Sequence, residues 1–321
     1  MMMKRLKDSP AAFGLIALAL VTAIAAPGFY SASNLRDLAL TIAPVLVAAV
    51  GMTLVILLGE IDISIGAQYA VCAILAGMSA KAGMPVVIVA LIAIAAGALL
   101  GLINGILIAQ FRIPSIVVTL AAMMALRDLL RWTTEGAWIQ NLPPSFQWAG
   151  LGQTGGSIVI ALVAAAVLAV FLWALQNLRA GRGVYAVGCS SESARLAGLD
   201  PKLVLIAVFA LSGMLAGLSA VLGSLRFSDI QSGAGVGLEM KVIAAVVVGG
   251  ASISGGRGSL VGTLLGVILM SAIGTSLTYL GVEAFWEKAV QGAIILAAVV
   301  ANSISQRAAG SEKRLVATTV H

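Results

Sequence analysis

Residues 85–108 read PVVIVALIAIAAGALLGLINGILI, a stretch that contains no charged residue and only one polar side chain, Asn104. A helix rises about 1.5 Å per residue, so this stretch would extend about 36 Å, which exceeds the roughly 30 Å hydrocarbon core of a bilayer. An apolar segment of this length is typical of a membrane-spanning helix. The stretch therefore predicts that the chain crosses a membrane.

The composition of the whole chain supports the same conclusion. Of its 321 residues, 60% are hydrophobic and 10% are charged, whereas a soluble globular domain carries about 25% charged residues. So few charges cannot cover a water-soluble surface of that size, so the composition excludes a soluble globular protein. The net charge of +6 comes from Lys and Arg residues that occur singly or in pairs, so it indicates membrane topology and not a nucleic-acid partner.

Further apolar segments follow one another along the chain. Allowing for the 17 to 25 residues that a crossing needs, the ten predicted spans are 11–27, 38–58, 64–80, 85–108, 114–131, 157–177, 203–223, 238–250, 259–280 and 286–305. The third and the eighth are interrupted or shortened by Gly and polar residues. We therefore predict an all-α polytopic membrane protein with about ten transmembrane helices, folded as one transmembrane domain over residues 1–321.

The first apolar segment has two interpretations. Lys4, Arg5 and Lys7 precede it, as in a cleaved signal peptide, but nine more apolar segments follow, which favours a retained first helix. Lys and Arg residues concentrate in cytoplasmic loops. With ten spans and an internal N-terminus, the inside segments hold twelve of them and the outside segments five. Both termini are therefore predicted to be cytoplasmic.

Glycine is abundant, with 36 residues in a chain predicted to be mostly helical. In a bilayer, small residues at four-residue spacing allow helix backbones to approach closely. The spacing predicts a tightly packed bundle. It occurs at Gly97, Gly101 and Gly105, at Gly213 and Gly217, and at Gly262 and Gly266.

One polar segment, Gly59 to Gly66, separates two apolar stretches and contains Glu60, Asp62 and Ser64. A carboxylate near membrane depth is costly and therefore faces a bundle interior or water. Two interpretations stay open: a tight turn in which Asp62 caps the following helix, or a gate or translocation path formed by Glu60, Asp62 and Ser64. Residues 249–256 share the pattern Gly-x-x-[Asp/Ser]-Ile-Ser-x-Gly, which indicates an internal repeat of the kind found in transporters.

Catalytic and metal chemistry find no support in the sequence. The single histidine, His321, is the last residue, and Cys72 and Cys189 have neither the placement of a disulfide nor metal-ligand spacing. Asp62 has no second intramembrane Asp with which to form a protease dyad. The phosphate-loop pattern Gly-x-x-x-x-Gly-Lys-[Ser/Thr] is absent. We therefore predict no enzyme, no metal and no cofactor in this chain, and any ATP would be hydrolysed by a partner.

Three stretches resemble the permease subunits of bacterial ABC importers for ribose, xylose, galactose, rhamnose and autoinducer-2. The resemblance extends over nearly the whole chain. The stretches are GMTLVIL at 51–57 leading to IDISIG at 61–66, GRGVYAVG at 181–188 continuing to ESARLAG at 192–198, and GLEM at 237–240 followed by IAAVVVGG at 243–250 and GGRG at 255–258.

The resemblance implies a function and a set of partners. The chain would form the path for a sugar or sugar-like molecule in the bacterial inner membrane. It would work with a second permease, identical or related, with cytoplasmic ATPase subunits and with an extracytoplasmic sugar-binding protein. The run 192–198 looks like the helix that docks on the ATPase, with Glu192, Ser193, Ala194, Arg195, Leu196 and Gly198 as the coupling residues, and it ends at Gly198 as a helix does at a C-cap. The alternative is that the connection 178–202 is a solvated interhelical loop with one helical turn. The outer run 131–143 looks more like rhamnose and autoinducer-2 permeases than ribose ones, and the substrate stays open.

Two other classes of membrane protein remain as alternatives. An ion-driven secondary transporter needs no ATPase, but it needs acidic residues at midplane, and only Glu60 and Asp62 approach that requirement. An intramembrane protease needs a nucleophile with a base, or paired Asp residues, which this chain does not supply.

Overall fold

The computed structural model describes residues 10–283 and the single positions 286, 289, 290, 292, 293 and 296. The described part is helical, and its one isolated β-bridge joins Ile139 to Ile230. In chain order the helices are α1 (Pro10–Ala25), α2 (Ala32–Leu57), α3 (Ile65–Lys81), α4 (Val86–Phe111), α5 (Ser115–Thr134), α6 (Gly152–Asn177), α7 (Arg179–Cys189), α8 (Ser191–Leu196), α9 (Pro201–Ser224), α10 (Leu238–Val248) and α11 (Leu260–Tyr279), with short 3₁₀ turns at Pro27–Tyr30 and Gln147–Gly150.

Each of the first nine predicted spans coincides with one of these helices, whereas the tenth, 286–305, lies almost entirely outside the described residues. Five helices, α2, α4, α6, α9 and α11, are long and apolar enough to cross a membrane. The predicted eighth span is an 11-residue helix, α10, which extends only about 16 Å and covers about half of a bilayer core. The all-α multi-pass architecture is confirmed, while the number of crossings and the cytoplasmic termini stay predictions.

Helix α2 forms the centre of the bundle. Its residues Val47 to Val50 are all fully buried, so every face of the helix is covered. A helix that is apolar all round belongs in an interior, which explains this position. Two buried hydroxyl contacts fix its neighbours: Ser219 of α9 donates to the carbonyl of Pro44 over 2.6 Å, and the hydroxyls of Thr53 and Thr263 lie 2.8 Å apart.

The predicted glycine faces are confirmed as packing surfaces. Helices α4 and α9 approach so closely that a methyl group on Gly97 would overlap the carbonyl oxygen of Gly213, and one on Gly101 would overlap the carbonyl oxygen of Phe209. A second close contact joins α10 to α11, where a methyl group on Gly266 would overlap the carbonyl oxygen of Ala245. These glycines permit backbone contact that no larger residue allows.

The connection at 178–202 differs from the alternative of a solvated interhelical loop with one helical turn. It consists mainly of two helices, α7 and α8, separated by the single residue Ser190. Buried Gly181, Val184 and Val187 hold α7 against the bundle, so tertiary packing stabilises a helix that the polar sequence did not suggest. Cys189 is therefore at the end of a helix, and neither it nor buried Cys72 forms a disulfide.

Candidate functional site

The segment between α2 and α3 has a turn at each end, at 58–59 and at 63–64, and three residues without regular structure, 60–62, between them. Gly59 adopts a φ of +81°, which turns the chain at the end of α2. The segment then runs along the first turn of α5, where the backbone N–H of Ile61 donates to the Ser115 hydroxyl over 3.2 Å and that of Ile63 donates to the Thr119 hydroxyl over 3.1 Å. Side chains of α5 thus satisfy backbone groups that lack a helical partner.

Asp62 is fully buried at the centre of a polar cluster. Its Oδ1 accepts from the Ser64 backbone N–H over 2.9 Å and from the Ser64 hydroxyl over 2.6 Å, and its Oδ2 accepts from Nε2 of Gln68 over 3.1 Å. The carboxylate therefore contacts the N-terminal end of α3, whose N-cap residue is Ser64, although α3 has no side-chain cap hydrogen bond of the kind that the capping interpretation predicted. It does so through Ser64 and Gln68, within the bundle interior.

Two amides complete this cluster, and the sequence analysis missed both. Asn104 of α4 and Gln68 each donate to the Ser64 hydroxyl oxygen, over 2.9 and 2.8 Å. Both amides are buried, and Oε1 of Gln68 has no hydrogen-bond partner among the described residues. The sequence does contain a signal for these two residues, namely an amide side chain within an apolar stretch. Polar side chains at membrane depth face a bundle interior, so such an amide indicates an interior polar contact.

The predicted coupling residues form the short helix α8 and its C-terminal turn. The Ser190 side chain accepts from the backbone N–H of Ser193 over 3.2 Å, which caps the start of the helix. Beyond its end Gly198 adopts a φ of +83°, as the predicted glycine stop requires. Of the six predicted residues only Ala194 is buried, so Glu192, Ser193, Arg195, Leu196 and Gly198 are exposed.

The exposed face of α8 combines charge with one large apolar side chain. Arg195 donates to Glu192 over 2.9 Å, one turn away, and Leu196 is 81% exposed. An exposed leucine beside a charged pair is unusual only when it is part of a larger surface. Glu192 and Arg195 of α8 also line an open groove, whereas Leu196 is not among the residues that line it.

This groove has a volume of about 580 Å³ and brings Glu60 together with Glu192 and Arg195. Sequence analysis did not group Glu60 with the other two, because more than a hundred residues separate it from Glu192. Further charged residues that sequence analysis missed also line it: Arg112, Asp200 and Lys202. Glu60 therefore belongs to this charged surface, whereas Asp62 and Ser64 belong to the buried cluster behind it.

Helix α7 connects the predicted coupling residues of α8 to the end of α2 by direct backbone contact. A methyl group on Gly188 would overlap the carbonyl oxygen of Leu57, and the backbone N–H of Gly256 donates to that same oxygen over 2.9 Å. The Tyr185 hydroxyl donates to the Gly258 carbonyl over 3.1 Å. Three segments that are distant in sequence thus meet at Leu57, two residues before the turn at Gly59.

The proposed repeat segments, 59–66 and 249–256, touch each other but have different backbones. A methyl group on Gly255 would lie 2.8 Å from the backbone nitrogen of Gly59. Gly59 has a φ of +81°, whereas its counterpart Gly249 has a φ of −65°, and Gly66 is helical while Gly256 has a φ of +69°. The shared pattern therefore does not correspond to a repeated local structure.

A bundle of apolar helices around α2, which is buried continuously from Ala43 to Leu57, with a charged groove at one end, defines a multi-pass membrane protein. The chain matches the family described as "Branched-chain amino acid transport system / permease component" over residues 34–299. It therefore belongs to this family of transport permeases, as the sequence resemblance indicated.

Several proteins of Escherichia coli are similar to the chain over most of its length. The probable ABC transporter permease protein YphD of strain K12 is 38% identical, over 92% of this chain and 90% of its own. The ribose import permease protein RbsC of strain K12 is 32% identical, over 94% and 95%. The autoinducer 2 import system permease protein LsrC of strain HS is 33% identical, over 88% and 84%. No solved structure matches the chain.

Proposed function

We propose that this chain is the permease subunit of an ATP-driven importer in a bacterial inner membrane. It forms, as a single transmembrane domain, the path for a sugar or sugar-like molecule, with a second permease, cytoplasmic ATPase subunits that bind the ATP, and an extracytoplasmic binding protein. The names of the relatives, which include ribose and autoinducer 2 permeases, support this assignment. The observation that carries the coupling role is the exposed α8 beside a charged groove.

Helix α8 is suited to dock on an ATPase. Its exposed Leu196 offers an apolar contact, and the Glu192–Arg195 pair and the groove charges fix the orientation of a partner. Charges at a rim contribute mainly to specificity, while a buried apolar anchor contributes affinity. This end of the bundle is then the cytoplasmic end, which agrees with the distribution of Lys and Arg.

Movement of α8 would reach the bundle interior through rigid contacts. Only Ser190 separates α8 from α7, and Gly188 of α7 abuts Leu57 at the end of α2. The next residues lead through Glu60, in the groove, to Asp62 in the buried cluster. In our proposal Glu60 senses the docked ATPase, while Asp62 and Ser64 hold the segment that forms the inner gate. Transport requires two bundle states that ATPase closure and opening select.

Buried Asp62 is the one observation that favours an ion-coupled secondary transporter, because a carboxylate at the start of a short helix resembles ion sites in such proteins. Its two oxygens already accept three hydrogen bonds from Ser64 and Gln68. The two functions differ in energy source. Uptake that survives collapse of the ion gradients but stops when ATP is depleted supports the importer, and the reverse result supports the secondary transporter.

The test of the importer begins with purification of the full chain from native membranes in mild detergent. A co-purifying ATPase in stoichiometric amount is expected, and purification of the chain alone with gradient-driven uptake would overturn the proposal.

Glu192→Arg then tests coupling. It should leave insertion and expression intact, preserve ATP hydrolysis and abolish uptake. The matched control is Glu135→Arg, an exposed charge reversal outside the groove, and equal uptake by both variants would contradict the role of α8.

A further inference from the structure

A second cavity, of about 370 Å³, lies at the opposite end of the bundle from α8, beside the C-terminal end of α9. Its volume is within the range of small-molecule sites, about 300 to 1,000 Å³. We infer that this cavity is a binding site within the permease for a single monosaccharide or a polyol of similar size. This inference rests on the proposed function and adds a site in the permease itself.

The cavity is a built structure, because hydrogen bonds join the two connections that form its walls. Ile139 and Ile230 exchange backbone hydrogen bonds of 3.0 and 2.9 Å, and the N–H of Leu142 donates to the Ser228 carbonyl over 2.9 Å. The Ser232 hydroxyl donates to a carbonyl on the facing connection over 3.0 Å. The walls are thus held together before any ligand arrives, which reduces the ordering cost of binding.

Tyr69 of α3 contributes one side of the cavity, and two glycines make room for its ring. A methyl group on Gly223 would overlap the Tyr69 hydroxyl, and one on Gly235 would lie 2.9 Å from Cδ1 of the ring. Gly235 has a φ of +71°, a conformation that glycine adopts without strain. The tyrosine hydroxyl makes no hydrogen bond to another described residue, so it is available to a ligand.

The remaining lining suits a molecule with an apolar face and a rim of hydroxyl groups. Trp138 and Phe227 expose 50% and 57% of their surface and offer rings for stacking. Asp229 accepts from the Asn141 backbone N–H over 3.1 Å and from the Ser228 hydroxyl over 2.8 Å. A carboxylate has about four acceptor positions, so it can still accept two ligand hydroxyls.

The amide of Gln231 supplies both donors and an acceptor, and it makes no hydrogen bond to another described residue. Among the described residues that line the cavity, none is Lys or Arg. An amino-acid ligand, whose carboxylate needs a cation or several N–H donors, therefore fits this lining less well than a neutral sugar does. This distinction matters because the family description names branched-chain amino acids.

The test uses the full chain in lipid nanodiscs and saturation-transfer NMR with three free probes: ribose, rhamnose and leucine. A transfer signal from at least one sugar, and none from leucine, is expected. Trp138→Ala and Gln231→Ala should each weaken sugar binding by roughly 2- to 10-fold. The matched control is Trp132→Ala, which removes a 77% exposed tryptophan that does not line the cavity. Thermal melting of each variant verifies that it is folded.

Two outcomes would overturn the inference: a signal from leucine alone or from none of the probes, or equal weakening by Trp132→Ala and Trp138→Ala. Failure of the site can be separated from failure of the proposed function. If ATP-driven sugar uptake is present while the cavity variants bind and transport as the unmodified protein does, the site is wrong and the importer stands. If no ATPase partner or sugar uptake is found, the proposed function itself fails.

Discussion

Replacing Asp62 by Ala tests whether the buried cluster holds α3 in place. The substitution removes an acceptor of three hydrogen bonds and leaves the Ser64 N–H and one N–H of Gln68 without partners in a buried site. The Ser64 hydroxyl can rotate to another acceptor, and Nε2 of Gln68 keeps its bond to Ser64. Each orphaned buried donor costs about 1 to 3 kcal/mol. With two orphaned donors, the expected loss is therefore about 2 to 6 kcal/mol of unfolding free energy.

The conservative change Asp62→Asn should cost less. Its carbonyl oxygen can keep both bonds from Ser64, whereas its amide group would face Nε2 of Gln68, donor against donor. A single lost hydrogen bond costs about 1.5 to 3 kcal/mol here, since the original acceptor is charged. Glu60→Ala is the matched control: its side chain is half-buried and makes no hydrogen bond to another described residue. It should change stability by less than about 0.5 kcal/mol.

The measurement is unfolding of the purified chain in mixed micelles by increasing SDS, followed by circular dichroism. The expected order of stability is unmodified protein and Glu60→Ala, then Asp62→Asn, then Asp62→Ala. If Asp62→Ala unfolds at the same point as the unmodified protein, the hydrogen bonds do not stabilise α3 and the structural role is wrong. Loss of uptake at unchanged stability would instead assign Asp62 to the transport path.

Three further predictions concern backbone contacts and a hydroxyl pair. Gly97→Val should prevent close packing of α4 on α9 and reduce the yield of folded protein, and a normal yield and melting temperature would contradict that contact. Gly188→Val should push α7 away from Leu57 and uncouple ATP hydrolysis from uptake while the permease still inserts; tight coupling in this variant would exclude the route through α7. Thr53→Val and Thr263→Val should each cost about 1 kcal/mol, and the double variant less than their sum, whereas additive losses would exclude the buried hydroxyl contact.

The architecture could be predicted from the sequence because membrane helices are selected by local composition. A stretch such as 85–108 must be helical in a bilayer whatever surrounds it, since its backbone has no other way to satisfy its hydrogen bonds. The glycine faces were predictable for a similar reason, because a four-residue spacing places Gly97 and Gly101 on one side of a helix. Gly198 as the end of a short helix likewise followed from a single residue.

The sites were less accessible to sequence analysis, because they depend on contacts between distant segments. Nothing in the order of residues indicates that Glu60 faces Glu192 across a groove, or that Gly188 meets Leu57. The polarity of 179–189 suggested a loop, and buried packing against the bundle made it a helix. The pattern shared by 59–66 and 249–256 does not correspond to a repeated local structure. Residues of similar type adopt different backbone conformations there, because the two segments have different surroundings.

The sequence by itself therefore determined that this chain is an all-helical, multi-pass membrane protein, since hydrophobic length and small-residue spacing act locally. Its permease family followed from the resemblance of three motif stretches and from the family match. The tertiary structure decided the environment of each polar group. It enclosed Asp62 among Ser64, Gln68 and Asn104, left Glu60 at a groove, and arranged two connections between helices around a cavity. Burial and hydrogen bonding of a side chain depend on which helices pack around it, and that packing is a property of the whole fold.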